Sequence, residues 1–216
     1  MAVTPRPDYD KIIRMATLYY FHDPMCSWCW GYRPTVQRLF SALPESVTRT
    51  NILGGLAPDS DEPMPKAQRE AIASHWRSIE ETLGTEFNHN FWTQCEPRRS
   101  TYPACRAVIA ATKQGREEAM IEAIQKAYYL EAQNPSDLDT LQRLAEQLGL
   151  EARTFNADIA SSDTESELQK QLRFTRESGV SGFPSLVLEK DGRLAPVSID
   201  YKNHETSLDE IRQALR

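Results

Sequence analysis

The chain has 216 residues, of which 40% are hydrophobic and 26% are charged, and its formal net charge is −6. This mixture is typical of a globular protein, and the negative charge disfavours binding to nucleic acid or to an anionic membrane surface. No segment approaches the roughly 20 apolar residues that cross a membrane.

Residues 1–14 are predicted to form a loose leader. They lack the basic start and the apolar run of roughly 7–15 residues that mark a secretory signal. If the sequence is complete, we therefore expect a cytoplasmic protein. Structural disulfides are rare in that reducing compartment, so a close cysteine pair there indicates catalysis or metal binding.

The first elements follow a strand–helix–strand order. Residues 15–21 are apolar and aromatic, which predicts a buried strand that ends before Pro24. A helical pattern follows Cys26 and continues to Pro44. Residues 47–53 predict a second strand, so the two strands are expected to be parallel.

The middle of the chain is predicted to be helical, and its end returns to strands. Amphipathic stretches cover residues 66–83, 103–114, 116–134, 137–148 and 164–177. Strands at 185–189 and 194–199 flank Asp191-Gly192, a strong hairpin signal, and a helix at 207–215 closes the chain. We predict a discontinuous α/β domain (residues 1–64 and 179–216) with a helical insertion (residues 65–178) beside the active site.

The chemistry is expected to reside in the Cys26-Ser27-Trp28-Cys29 dithiol, between the first strand and the following helix. The N–H groups of a helix N-terminus stabilise a thiolate. Cys26 is therefore predicted to be the exposed nucleophile. Cys29, one turn further and buried, would resolve the mixed disulfide.

Two other interpretations of the cysteines are weaker. A zinc site needs a second ligand pair, whereas Cys95 and Cys105 are ten residues apart without a neighbouring Cys-x-x-Cys, so no metal is expected. Two inert buried cysteines would not need the strand–turn–helix context. Cys105 is predicted to be a buried core residue and Cys95 to be more exposed, while spacing leaves open a disulfide between them.

A second candidate element is the Phe183-Pro184 dipeptide directly before a predicted core strand. The residues alone leave open a cis or a trans bond there. Near the dithiol, Phe183 would offer backbone groups to an extended substrate. Trp28 is expected to face solvent and to contact an apolar substrate.

Three segments, residues 21–31, 100–107 and 179–187, resemble the DsbA-like thioredoxin-fold family, and most closely its leaderless dithiol–disulfide isomerase branch, which includes FrnE-like proteins. The resemblance covers about residues 15–215. It implies a thioredoxin-like α/β fold with a large all-helical insertion between the second strand and the cis-proline strand. It also implies a cis bond at Pro184, with Cys26 as nucleophile and Cys29 as resolving cysteine.

The sequence departs from this family at two places. Ser27-Trp28 replaces the Pro-His of DsbA, so we expect a less stabilised thiolate and a less oxidising couple. Tyr20 stands where thioredoxin and DsbA hold a buried carboxylate, six residues before the nucleophile. His22 or Asp23 could relay protons instead, although Asp23-Pro24 also fits a simple turn.

We therefore expect a thiol–disulfide oxidoreductase that reduces or isomerises protein or small-molecule disulfides. No permanently bound cofactor is expected, and glutathione would be a reductant or ligand. One alternative is a glutathione-dependent enzyme of the kappa transferase and 2-hydroxychromene-2-carboxylate isomerase type, whose members usually place Ser at the position of Cys26. Another is a non-catalytic, chaperone-like binding module. The natural substrate, the direction of electron flow and the oligomeric state stay open.

Overall fold

The computed structural model describes residues 15–216, so the predicted leader lies outside the described residues. Within this range the strands are Ala16–His22 (β1), Val47–Leu53 (β2), Ser185–Lys190 (β3) and Arg193–Val197 (β4). The helices are Ser27–Ala42 (α1), Lys66–Leu83 (α2), Phe91–Gln94 (α3), Tyr102–Thr112 (α4), Glu117–Tyr129 (α5), Leu138–Gln147 (α6), Ala152–Ile159 (α7), Ser162–Glu177 (α8) and His204–Ala214 (α9).

Helices α2 to α8 all lie between β2 and β3, and the amphipathic stretches predict α2, α4, α5, α6 and α8. The sequence missed α3 and α7, which are too short to show a clear helical period. Helix α5 ends at Tyr129, five residues earlier than expected, and Ala132 beyond it adopts a positive φ of 51°. The domain bounds at residues 65 and 178 stay a prediction.

The sheet has the strand order β2-β1-β3-β4. Strand β1 is parallel to β2 and antiparallel to β3, so the two halves of the α/β part meet on β1. The parallel connection predicted for the first two strands is confirmed. Because β1 is central, its C-terminal end, where the dithiol begins, is covered by neighbours on both sides.

The hairpin predicted at Asp191-Gly192 is also confirmed. These two residues join β3 to β4 with φ values of 53° and 73°. Two successive positive φ values are typical of the type I′ turn, whose twist matches that of the paired strands. Pro196 lies in β4, and a proline is tolerated there because β4 is an edge strand.

The main hydrophobic core joins the helical block to the end of the sheet. Trp76, Met120 and Phe155 are fully buried in it, and Met25 and Leu53 belong to the same cluster. Burial of large apolar side chains is the main stabilising contribution to such a contact. The helices therefore pack against the C-terminal ends of β1 and β2, where the dithiol begins. Among residues 15–216, no helix is both long and apolar enough to span a membrane.

Candidate active site

The dithiol lies at the junction between β1 and α1. The backbone N–H of Cys26 donates to the Asp23 carbonyl at 3.0 Å, closing a turn, and Cys26 is the N-cap of α1. Its Sγ accepts a hydrogen bond from the Cys29 N–H at 3.3 Å. The helix N-terminus thus directs an N–H group at the Cys26 sulfur, the arrangement that stabilises a thiolate.

The prediction that Cys26 is exposed is wrong. Only 5% of the residue is accessible, because the turn after β1 and the Phe183 segment enclose it. Cys29 is 1% accessible, so the predicted asymmetry between the two thiols persists in a weaker form. Burial is the main cause that raises the pKa of the Cys29 thiol well above its ordinary value.

The Phe183-Pro184 bond is cis, as the family resemblance implies. The Cys26 thiol donates to the Phe183 carbonyl oxygen at 3.5 Å, so this segment forms one wall of the site. The Phe183 ring rests against Gly54, where a Cβ atom would lie 1.8 Å from the ring Cζ. Gly54 is thus required for this close approach, a role that the sequence did not indicate.

Trp28 is less exposed than predicted. The side chain is half-buried and packs edge-on against Tyr201, with the ring centroids 5.2 Å apart. Ser27 is the first residue of α1 and is also half-buried. Tyr201, which follows β4, was missed because nothing in the sequence links it to the dithiol.

Asp23 is more than a turn residue. Its carboxylate is 0% exposed and accepts hydrogen bonds from the Met25 N–H, the Leu56 N–H and the Thr101 hydroxyl, each at 2.7 Å. The Cys105 thiol lies 3.8 Å from the same carboxylate. Burial raises the pKa of Asp23, and these hydrogen bonds oppose that rise.

The two remaining cysteines have separate surroundings. Cys105 is fully buried on α4, which confirms the prediction, and its proximity to Asp23 was not foreseen. Cys95 is half-buried and donates to the Ala132 carbonyl at 2.9 Å. Both are free thiols. Across residues 15–216, no group of three His, Cys, Asp or Glu side chains has the geometry of a metal site.

His22, the residue before Asp23, has different surroundings. It is 1% exposed, and its ring stacks on Tyr20 with the centroids 5.0 Å apart and the planes within 3°. A cavity of about 30 Å³ is lined by both rings and by Cys29. The pKa of His22 is lowered to about 3, chiefly by burial and also by the charges of Arg49 and Arg33.

A family model described as "Thioredoxin" matches residues 19–199, a range that contains the dithiol, the cis-proline and the helical block between them. The chain belongs to the thioredoxin family. The α/β fold class with its large helical insertion, and the likeness to DsbA-like proteins, are thereby confirmed.

Two solved structures resemble this fold over nearly its whole length. A candidate protein disulfide isomerase from Nitrosomonas europaea is 28% identical, with a TM-score of 0.81 over 93% of this chain and 98% of that one. The cytosolic disulfide reductase DsbM from Pseudomonas aeruginosa is 25% identical, with a TM-score of 0.75 over 93% and 100%. DsbM has also been solved with GSH.

One relative found by sequence is named as an adapter protein and not as an oxidoreductase. The ClpXP adapter protein SpxH of Bacillus subtilis (strain 168) is 27% identical over 202 residues, which is 90% of this chain and 67% of the relative. The SpxH of Halalkalibacterium halodurans is matched over 58% of its length. The chain therefore spans roughly two thirds of these relatives or less.

Proposed function

We propose that this protein is a protein disulfide reductase or isomerase that uses Cys26 as nucleophile and Cys29 as resolving cysteine. The observation that supports this most is the position of the Cys26 Sγ, at the N-terminus of α1 and 3.3 Å from the Cys29 N–H. The two similar solved structures, DsbM and the Nitrosomonas protein, are named for disulfide reduction and disulfide isomerisation, which is the same thiol–disulfide chemistry. The name of DsbM also supports a cytosolic location.

In this proposal the substrate disulfide approaches beside the cis-proline wall. The Cys26 thiolate attacks one substrate sulfur, forms a mixed disulfide and releases the other sulfur as a thiolate. The Phe183 backbone and the apolar edge of Trp28 would contact the substrate chain. Because only 5% of Cys26 is accessible and its thiol contacts the Phe183 carbonyl, the substrate must approach close to Phe183.

Replacing Cys26 tests this function directly. The Cys26→Ser variant should lose the thiol-dependent reduction of insulin, followed by turbidity as the B chains precipitate, because a hydroxyl cannot form the mixed disulfide. Cys95→Ser is the matched control, since its hydroxyl can keep the bond to Ala132. Insulin reduction at the wild-type rate by Cys26→Ser would overturn the proposal.

Glutathione is the electron donor that the comparisons favour, because DsbM has been solved with GSH. We expect GSH to support turnover, measured with glutathione reductase and NADPH at 340 nm. The alternative of a glutathione-dependent transferase or isomerase predicts glutathione binding by calorimetry without insulin reduction. The cysteine at position 26, where that group usually places serine, favours the redox enzyme.

The SpxH names favour a second candidate, a binding protein that acts without redox chemistry. It predicts that purified ClpXP binds the wild type and the Cys26→Ala/Cys29→Ala variant with equal affinity. Surface plasmon resonance with immobilised ClpXP measures this. Equal binding, together with no insulin reduction by the wild type, would replace the enzyme proposal with the binding function.

A further inference from the structure

The feature that stability does not explain is the side chain of His22. Neither of its ring nitrogens has a hydrogen-bond partner within the described part of the chain, although the residue is 1% exposed. An unsatisfied buried polar group destabilises a protein by about 1–3 kcal/mol. A phenyl ring could keep the stack on Tyr20 at position 22 without this penalty.

The cavity beside His22 is lined both by buried and by exposed residues. The buried ones include Cys29, Tyr20 and His22, and the exposed ones include Gln37 and Glu118, so the cavity extends from the dithiol towards the protein surface. About 30 Å³ is enough for one or two water molecules, which need roughly 10–15 Å³ each. The rim supplies the polar partners that such water requires.

The rim holds two groups of polar side chains, one around Glu118 and one around Arg33. Glu118 Oε1 accepts from Arg49 Nη2 at 2.5 Å and from Asn51 Nδ2 at 2.7 Å. On the α1 side, Arg33 donates to Gln125 Oε1 at 2.8 Å and pairs with Glu122 at 2.9 Å. The titratable and charged groups around His22 are Tyr20, Cys29, Arg33, Arg49, Glu117, Glu118 and Glu122.

We propose that His22 and this cavity carry the proton of the Cys29 thiol to solvent beside Glu118 when Cys29 resolves the mixed disulfide. The inference rests on the proposed oxidoreductase function and adds a route to it. From the sequence, both His22 and Asp23 are candidate proton relays. The structure separates them, because Asp23 is committed to three strong donors whereas both His22 nitrogens are available.

Cys29 loses its proton through the cavity, and its thiolate attacks the Cys26 sulfur of the mixed disulfide. The Cys26–Cys29 bond forms, the bond from Cys26 to the substrate breaks, and the substrate sulfur leaves as a thiolate that takes a proton from solvent. The dithiol loses two electrons and the substrate disulfide gains them.

In this step His22 passes a proton on and does not remain protonated. The neutral imidazole bears a proton on one nitrogen and a lone pair on the other, so it can accept a proton at one side while releasing one at the other. Its low pKa disfavours a lasting imidazolium, and Arg33 and Arg49 oppose that charge. The proton therefore passes on to the outer water and Glu118.

The two half-steps can be watched separately with Ellman's reagent in a Cys95→Ser background. Attack by Cys26 releases one thionitrobenzoate, and resolution by Cys29 releases a second, both visible by stopped-flow absorbance at 412 nm. We expect His22→Phe to leave the first phase within about twofold and to slow the second about tenfold or more at pH 7. The deficit should shrink towards pH 10, where hydroxide replaces the relay.

The controls separate this role from a structural one. His75→Phe, an equal substitution at an exposed site on α2, should change neither phase. His22→Phe should melt at the wild-type temperature or above, because it removes two unsatisfied nitrogens. If His22→Phe does not fold, His22→Gln provides the same test, since an amide can bond to water but cannot exchange its tautomer.

A second phase that is unchanged in His22→Phe, or in His22→Gln where that variant is needed, would overturn the relay. A deficit that does not shrink as the pH rises would also overturn it. Absence of both phases in the His22-containing Cys95→Ser protein would instead overturn the proposed function. The two failures are therefore distinguishable.

Discussion

Two adjacent residues beside the dithiol, His22 and Asp23, differ in how their side chains are hydrogen-bonded. Both are buried, but the Asp23 carboxylate accepts three hydrogen bonds of 2.7 Å, whereas both His22 nitrogens are unpartnered among the described residues. A satisfied buried carboxylate fixes the structure around it. An unsatisfied imidazole beside a small cavity does not, which points to a role in the chemistry.

The largest expected effect tests whether the Asp23 carboxylate stabilises the fold. Asp23→Ala leaves the N–H groups of Met25 and Leu56 without their acceptor, and also removes the partner of the Thr101 hydroxyl. We expect the free energy of unfolding to fall by about 3–5 kcal/mol, from about 1–3 kcal/mol for each unsatisfied donor with incomplete additivity. Urea denaturation measures it, with His22→Phe as the matched control. A loss below about 1 kcal/mol would contradict the structural role.

The wall formed by Phe183 lies against Gly54, whose N–H donates to the His22 carbonyl at 2.7 Å, so this wall adjoins the backbone of His22. Gly54→Ala would place a Cβ atom 1.8 Å from the Phe183 ring, so the ring must move. We expect a loss of about 1–3 kcal/mol in thermal or urea unfolding, as in overpacked cores, and slower insulin reduction. Gly182→Ala, whose Cβ meets no atom within 4 Å, should cost little stability. Equal stability of Gly54→Ala and Gly182→Ala would show that the position of the Phe183 ring does not require glycine at position 54.

The pH dependence of the free energy of unfolding tests the burial of His22. Because the pKa of His22 falls from 6.5 to about 3 on folding, the unfolded chain binds an extra proton between these values. Titration of His22 therefore leaves the free energy of unfolding unchanged above pH 6.5 and lowers it as the pH falls from 6.5 towards 3. Each pH unit changes it by about 1.4 kcal/mol. Urea unfolding of His22→Phe should thus show a shallower loss between pH 5 and 4, and identical slopes would contradict the assigned burial.

The smallest expected effect concerns the link from α4 to Asp23. Thr101 Oγ1 donates to Asp23 and accepts from the Ala57 N–H at 3.1 Å, so Thr101→Val removes both bonds. We expect a loss of about 1 kcal/mol in urea unfolding. Thr101 is the N-cap of α4, and Thr112→Val at the exposed last residue of that helix removes only a bond to the Val108 carbonyl and should stay within about 0.5 kcal/mol. Equal values for the two variants would mean that Thr101 does not support Asp23.

Much of the fold could be predicted from local patterns. The strand before Pro24, the Asp191-Gly192 hairpin and α2, which ends at Leu83 before Gly84, all depend on neighbours within a few residues. Short helices such as α7 escaped prediction because two turns carry too little periodic signal. The start of α4 depends on contacts with Ala57, which are distant in sequence.

The dithiol and its position at a helix N-terminus follow from the sequence, because they form a local motif, whereas the cis bond at Pro184 was implied only by the family resemblance. Only the tertiary structure decided that Cys26 is nearly buried, that Trp28 packs on Tyr201, and that His22 and Asp23 differ in their hydrogen bonding. These properties depend on groups far apart in the chain. Burial and hydrogen-bond satisfaction are decided by which elements pack together, and no local pattern encodes that.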